Sequence, residues 1–349
     1  MPYLPVRGGR IVIRTDADPA IGIGHVGRTL ALAAAWRRRG GEVGFVAAPP
    51  LAPSAATWIT STGFPLDILT ARRYSDADAE ATAAIAGGAT VVLDAFATPL
   101  PYRTTLRRQV RRLAIIDDIG DPGPWSADII LNQNCGASLA YYPGLDAGAI
   151  PLLGPGYALL RPEFEPWRAA PRRRGGAARR IAVSLGGTDP ANAASLVLDA
   201  IGSRADRNWR TIIVAGPANP RGEALKDRAE RGAGAAYVIR RPSSMARLLI
   251  WADIAILAGG VTVWEALSLG VPAIGITIAD NQIPGAEALA RDGFWHYLGR
   301  AETVMAGRIA EAIGGLLADN GERHRLSEAG RALVDGRGAE RVAEALARL

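Results

Sequence analysis

A histidine and an arginine stand three residues apart in a glycine-rich segment near the start of the chain. The segment Ile21–Arg28 reads IGIGHVGR and follows the apolar run RIVIR, which is typical of a β-strand. Gly22 and Gly24 permit a tight turn and a close approach of the backbone to a ligand. His25 would be a base near neutral pH at the start of a helix, and Arg28, one turn along, is able to reach an anion or an acidic partner. The alternative is that His25 only helps to form the turn.

A second glycine turn, SLGGTDP, follows another predicted strand. Gly186 and Gly187 would allow the backbone to lie against a phosphate at the start of the next helix. Asp189 at a helix cap and Pro190 at the first helical position also form an ordinary helix start. The segment therefore predicts either a phosphate site or a well-capped turn between a strand and a helix.

The third turn, AGGVTVWE, also follows an apolar strand and opens a helix. Gly259, Gly260 and the hydroxyl of Thr262 suit a diphosphate at a helix N-terminus. Glu265 would accept hydrogen bonds from two ribose hydroxyls, although acidic residues favour the first turns of helices in any case.

Polar residues also end a later predicted strand. Asn281 and Gln282 follow the apolar run at 273–278 and carry amide groups that could read a sugar or a phosphate. No metal site is predicted, because the three histidines are far apart in sequence and no Cys/His cluster is present. Asp117 and Asp118 form a candidate carboxylate pair, but an Asp at a strand end is common in such folds.

Short apolar runs alternate with amphipathic stretches along the chain, which indicates repeated βα units. The periodicity is lost near 166–179, where Pro, Arg, Gly and Ala accumulate, and then restarts. We therefore predict an α/β protein of two doubly wound Rossmann-like domains facing a cleft, 1–168 and 178–349, the second including the C-terminal helices. Ligands of such sheets bind beyond the carboxyl ends of the strands, where the three glycine turns fall.

The composition excludes several classes of protein. Hydrophobic residues make up 49% and charged residues 21%, as in packed globular proteins. No apolar run is long enough to span a membrane, Met1–Arg10 contains no apolar stretch of a secretory signal, and the single Cys135 cannot form an internal disulfide. We expect a cytoplasmic protein. The net charge of +6 is almost all arginine, and the arginine cluster at 172–180 lacks interleaved aromatic residues, so we expect no nucleic-acid partner.

Several motifs in the same order resemble one family, the UDP-2,4-diacetamido-2,4,6-trideoxy-β-L-altropyranose hydrolases of pseudaminic acid biosynthesis. These hydrolases are relatives of the GT-B glycosyltransferases, which include the UDP-GlcNAc transferase of peptidoglycan synthesis. The motifs that carry the resemblance are RTD at 14–16 with IGIGHVGR, IDD at 116–118, LNQN at 131–134, LGPGYALLRPEF at 153–164, SLGGTDP, AGGVTVWEALSLGVPAI and ADNQ.

The resemblance implies a GT-B enzyme in which water displaces UDP from the anomeric carbon with inversion. His25 would be the general base, in the N-terminal domain. The implied sugar-side residues are Asp16, Gly22, Gly24, Arg28, Phe96, Asn281 and Gln282. The implied UDP-binding residues are Gly186, Gly187, Gly259, Gly260, Thr262 and Glu265. The only partner implied is the UDP-sugar, with no metal, no other cofactor and no obligate protein partner.

One position departs from the family pattern. The family carries a tyrosine two residues after the strand that ends at Asp94, and this chain has Phe96 there. The loss of this hydroxyl is consistent with a different amino sugar as substrate, with slower hydrolysis, or with an enzyme that transfers the sugar to an acceptor. It is also consistent with a position at which either residue is tolerated. Three alternatives to the hydrolase therefore remain open: a GT-B glycosyltransferase, a nucleotide-sugar-binding protein without turnover, and a nucleic-acid-binding protein.

Overall fold

The computed structural model of the chain contains two compact units. Unit 1 comprises Met1–Pro162 and Arg337–Leu349, and unit 2 comprises Glu163–Gly336. The structure describes residues 9–18, 21–94, 98–120, 124–169, 178–203, 209–232 and 236–349. Within these residues, no helix is long and apolar enough to cross a membrane.

Unit 1 contains a sheet of seven parallel strands in the order β3-β2-β1-β4-β5-β6-β7. The strands are β1 (Arg10–Thr15), β2 (Glu42–Ala47), β3 (Leu66–Ile68), β4 (Thr90–Asp94), β5 (Arg112–Ile116), β6 (Ile129–Asn132) and β7 (Ile150–Leu153). The central strands are Val-, Ile- and Leu-rich and buried throughout, as expected for a parallel sheet that is covered on both faces. The order 3-2-1-4-5-6 is the doubly wound one that the sequence predicts.

Helices cover the unit 1 sheet. They are α1 (Gly24–Arg38), α2 (Pro53–Ser61), α3 (Asp76–Ala86), α4 (Leu100–Gln109) and, from the end of the chain, α13 (Gly338–Ala347). α13 buries Val342, Ala343 and Leu346 in the same core as residues of α1, such as Leu32.

The division into units therefore differs from the predicted domains, 1–168 and 178–349. The chain leaves unit 1 after Pro162, and the last helix returns to unit 1 instead of staying with the second domain. The apolar face of α13 requires a packing partner, but its sequence does not indicate which of the two sheets supplies one. Part of the predicted boundary, 170–177, lies outside the described residues.

Unit 2 repeats the plan with six parallel strands in the order β10-β9-β8-β11-β12-β13. The strands are β8 (Arg180–Ser184), β9 (Arg210–Val214), β10 (Ala236–Ile239), β11 (Ile254–Leu257), β12 (Ala273–Thr277) and β13 (His296–Arg300). The helices are α5 (Glu165–Arg168), α6 (Ala193–Gly202), α7 (Gly222–Arg231), α8 (Met245–Trp251), α9 (Val261–Ser268), α10 (Ile283–Arg291), α11 (Ala306–Ala318) and α12 (Asn320–Leu333). Each unit has its own hydrophobic core.

Candidate active site

The first glycine turn places His25 against the carboxyl end of β4. β1 and β4 are neighbours with Thr15 level with Asp94, so the turn that leaves β1 passes the end of β4. His25 is the second residue of α1, and its Nδ1 lies 2.7 Å from Asp94 Oδ1. An ionised carboxylate only accepts hydrogen bonds, so Nδ1 donates and Nε2 carries the lone pair of the neutral ring. This is the tautomer that a general base of the His–Asp type requires.

Arg28 joins two carboxylates beneath this histidine. Its Nε and Nη2 donate to Asp94 at 2.8 and 2.6 Å, and its Nη1 and Nη2 donate to Asp118 at 2.7 and 2.8 Å. The Arg28 side chain is 3% exposed and that of Asp94 is fully buried. The position three residues after His25 thus reaches acidic partners, as its helical spacing predicts.

The three charges of this cluster hold one another in their ionised forms. Burial alone raises the pKa of Asp94, but Arg28 and His25 outweigh it and hold that pKa at about 2. Burial is likewise outweighed at Asp118, where Arg28 keeps the pKa below its ordinary value, and at Arg28 itself, where the two carboxylates raise it. Asp94 and Asp118 are therefore both negative near neutral pH.

The LNQN motif extends the polar contacts from Asp118 to the next strand. Asn134 donates from Nδ2 to the backbone oxygen of Asp118 at 3.2 Å and to its Oδ1 at 3.3 Å, and it is fixed by a bond from its own N–H to Asn132 Oδ1. Asn132 Nδ2 donates to the hydroxyl of Tyr142, which donates to Asp117. Asp117 and Asp118 are consecutive but have different partners. In the described residues Asp117 has no contact with Arg28, and burial raises the pKa of Asp117 above its ordinary value.

Asp16 lies below the first glycine turn. Its carboxylate is fully buried, accepts from Arg14 Nη1 at 2.6 Å and is 3.5 Å from Arg73 Nε. Arg73 also donates to Asp18, whose other carboxylate oxygen accepts from the N–H of Ile21 at 2.8 Å. This chain of ion pairs fixes the start of the turn.

The predicted glycines of this turn have clear local roles. Gly22 adopts φ 78°, in the left-handed region, and donates to the backbone oxygen of Asp18. Gly24 begins α1, where its peptide belongs to the first turn with unpaired N–H groups. Phe96 lies outside the described residues.

In unit 2, the second and third glycine turns follow neighbouring strands. Ser184 of β8 is level with Leu257 of β11, and the Ala258 N–H donates to the Ser184 backbone oxygen. Gly186 adopts φ 81°, and both Gly187 and Gly260 have open space where a side chain would project. The third turn leads directly into α9, whose first N–H groups are suited to bind a phosphate, whereas α6 begins only at Ala193, six residues after Gly187.

Asp189 and Gln282 stabilise these turns. Asp189 is buried and accepts from the N–H groups of Ala193 and Ala194, the first two residues of α6, as the structural alternative predicts, but the prediction of Pro190 at the first helical position is wrong, because the helix begins three residues later. Gln282 accepts with Oε1 from the N–H groups of Gly259 and Ile278 at 3.3 and 3.0 Å. The amide oxygen of Gln282 therefore joins the two loops, and its NH₂ group remains the part that could read a ligand.

The other predicted ligand residues of unit 2 surround the same strand ends. Thr262 is the second residue of α9, and Asn281 lies in a short 3₁₀ turn after β12. Glu265 falls in the second turn of α9 with 1% of its surface exposed. A Cβ at Gly259 would lie 2.8 Å from Gln282 Cβ, so this close approach requires glycine. In the described part of the chain, no group of three His, Cys, Asp or Glu side chains could hold a metal ion.

Sequence reasoning missed two residues of the unit 1 cluster. The sequence indicates Asp94 only as a strand end and Asp118 only as half of a carboxylate pair. The strand order of a doubly wound sheet could have identified both residues, because it places the ends of β1, β4 and β5 next to one another.

Comparison with known proteins supports this architecture. The chain is 33% identical over 190 residues to the spore coat polysaccharide biosynthesis protein SpsG of Bacillus subtilis, covering 54% of this chain and 56% of SpsG. It spans a little over half the length of the curated relatives that it matches. No protein-family model matches.

Solved glycosyltransferase structures have the same fold. MurG of Acinetobacter baumannii superposes with a TM-score of 0.68 at 15% identity over 98% of this chain and all of that one. CalG4, the calicheamicin glycosyltransferase, superposes with a TM-score of 0.64 at 17% identity over 97% of both chains. The chain therefore has the GT-B fold of two parallel-sheet α/β domains, as predicted.

Proposed function

We propose that this chain is a nucleotide-sugar enzyme that hydrolyses a UDP-sugar to UDP and the free sugar. The observation that carries the proposal is the His25–Asp94 pair at the start of α1, in the tautomer of a general base. The glycine turns after β8 and β11 support the UDP part, because they follow neighbouring strands and α9 begins directly after Gly260, where a helix start neutralises a diphosphate without a metal. The relationship to SpsG supports a role in making a surface polysaccharide.

In the proposed reaction, Nε2 of His25 takes a proton from water as the water oxygen bonds to the anomeric carbon. The bond from that carbon to the diphosphate oxygen breaks, and its electron pair leaves with UDP. Attack from the face opposite to UDP inverts the anomeric centre. Asp94 stabilises the imidazolium that forms, and a positioned base of this kind supplies about 100- to 10,000-fold.

Within the wider proposal, His25 is the catalytic residue, and Asp16, whose ion pairs with Arg14 and Arg73 hold the start of the turn, remains a proposed sugar-side residue. Gly22, Gly24 and Phe96 remain proposed neighbours of the sugar, and Arg28 acts through Asp94. Asn281 and the Gln282 NH₂ group would read the leaving group or the sugar. The proposed UDP contacts are Gly186, Gly187, Gly259, Gly260, Thr262 and Glu265.

A glycosyltransferase is the second candidate, and its support is the fold shared with CalG4. The same His–Asp pair would then deprotonate an acceptor hydroxyl. Release of UDP from a UDP-linked 2,4-diacetamido-2,4,6-trideoxy sugar, in EDTA and without an acceptor, tests the hydrolase. Release with one free sugar per UDP supports it. A folded protein that binds UDP but releases none contradicts hydrolysis of that sugar, and release only after an acceptor is added supports the transferase.

A further inference from the structure

A buried guanidinium next to a catalytic histidine presents an electrostatic problem. A carboxylate facing an imidazole favours the imidazolium, which a base becomes when it takes a proton. Arg28 Nη2, however, lies 2.6 Å from Asp94 Oδ1 and 3.1 Å from His25 Nδ1. One carboxylate and one guanidinium cancel, so Asp94 and Arg28 alone would leave the imidazole without a net negative partner.

A second carboxylate on the same guanidinium changes this balance. Asp118 accepts from Nη1 and Nη2 of Arg28, while Asp94 accepts from Nε and Nη2. Two carboxylates against one guanidinium leave one net negative charge beside His25. We propose that Asp118 is a positioning residue for the His25 base. It binds Nη1 and Nη2 of Arg28 and offsets the charge of the guanidinium, so that the negative charge of Asp94 stabilises the imidazolium of His25.

The surroundings of Asp118 fit this role. Asn134 donates to the backbone oxygen and one carboxylate oxygen of Asp118. The side chain of Asp118 is 17% exposed, so water screens the charge of Asp118 only partly. The two carboxylates of this cluster lie at neighbouring strand ends, Asp94 at the end of β4 and Asp118 after β5. Both strand ends adjoin the turn that carries His25.

The test is the titration of His25 in the free protein, followed by NMR of the imidazole nitrogens and assigned with His25→Ala. In Asp118→Asn we expect the midpoint to move to lower pH by about one unit, because the imidazolium loses a nearby negative charge. Asp118→Glu keeps the charge and should restore most of the shift. Glu322→Gln is the matched control, since it removes the carboxylate that contacts another histidine, His296.

An unchanged His25 midpoint in folded Asp118→Asn overturns the proposal, as does an equal shift in Glu322→Gln. Should Asp118→Asn fail to fold, Arg28→Gln with Asp118→Asn removes the guanidinium and its second partner together. The remaining His25–Asp94 pair should then titrate within about half a unit of wild type. A shift of more than one unit downward in this double variant also overturns it.

The catalytic meaning of Asp118 rests on the proposed function, but the titration does not. Where UDP release is measurable, Asp118→Asn should move the acid limb of the pH–rate profile to lower pH and lower kcat several-fold, because a weaker base takes up the proton. KM should change little. A titration shift without any UDP release supports the charge balance and refutes only the proposed reaction.

Discussion

Each unit contains a histidine, a carboxylate and an arginine in direct contact, and the two clusters differ in burial. In unit 1, His25 lies 2.7 Å from Asp94, which Arg28 binds at 2.6 Å. In unit 2, His296 lies 2.8 Å from Glu322, which Arg325 binds at 2.7 Å. The side chains of the first cluster are 12%, 0% and 3% exposed, and those of the second are 38%, 23% and 53% exposed.

The same low carboxylate pKa, about 2, arises in the two clusters, but the largest contribution to it differs. At Asp94, burial raises the pKa and the charge of Arg28 overcomes it. At Glu322, the largest contribution to the pKa is the hydrogen bond from Arg325, which outweighs the opposing effect of burial. A depressed pKa alone therefore does not identify a site; the desolvated cluster is the one in which a charge change is costly.

The positions of the clusters on their sheets also differ. Asp94 is the last residue of β4, at the carboxyl edge where ligands of doubly wound sheets bind. His296 is the first residue of β13, at the opposite edge, and Glu322 belongs to the first turn of α12. We interpret the second cluster as a structural contact between β13 and α12.

The largest expected effect separates the two histidines. His25→Ala should lower UDP release by at least about a hundredfold, because it removes the proposed base. His296→Ala should stay within about twofold of wild type. Steady-state kinetics of both variants, with folding checked by circular dichroism, test this. An equal loss in both variants would contradict the assignment of the site to unit 1.

The next effect separates the carboxylates. Asp94→Asn should lower kcat by about 10- to 100-fold, because the neutral amide no longer stabilises the imidazolium. Glu322→Gln should leave kcat unchanged. The measurement is kcat at saturating UDP-sugar. Full activity of a folded Asp94→Asn protein would show that His25 acts without its carboxylate.

The sequence predicts two residues of the unit 1 cluster, His25 and Arg28, but not their carboxylate partner. His25 and Arg28 are found from a glycine turn and a helical spacing, both local properties. Asp94 is 69 residues from His25, and only the order of β1 and β4 brings the two together. Gln282 shows the same limit, since its amide was predicted but its bond to Gly259 depends on the pairing of β11 with β12.

The unit 1 boundary was missed for a related reason. The amphipathic pattern predicts helices near the C-terminus, but it does not state which sheet they cover. The small and apolar residues of α13, including Ala339 and Val342, pack in the core of unit 1. Long-range packing, which a local pattern does not contain, decided this part of the fold.

A smaller effect concerns stability in acid. The pKa of folded Asp94, about 2, is below the ordinary 3.8, so its charge stabilises the folded protein above about pH 4, and this contribution is lost as the pH falls through about 2. It amounts to something on the order of 2 kcal/mol. Urea unfolding from pH 5 to pH 2.5 should show a shallower loss in Asp94→Asn than in wild type. A folded Asp94→Asn protein that loses stability in acid as steeply as wild type would contradict this contribution.

The smallest effect is the salt dependence of the exposed cluster. Glu322→Gln should cost at most about 1 kcal/mol of unfolding free energy at low salt, because both partners are hydrated. At 1 M NaCl the Debye length is about 3 Å, so this difference should nearly vanish. The Asp94→Asn difference should persist, because salt does not reach the buried Arg28–Asp94 contact. Urea unfolding of both variants at 0.05 and 1 M NaCl measures this, and equal salt dependence would mean that burial is not what distinguishes the two clusters.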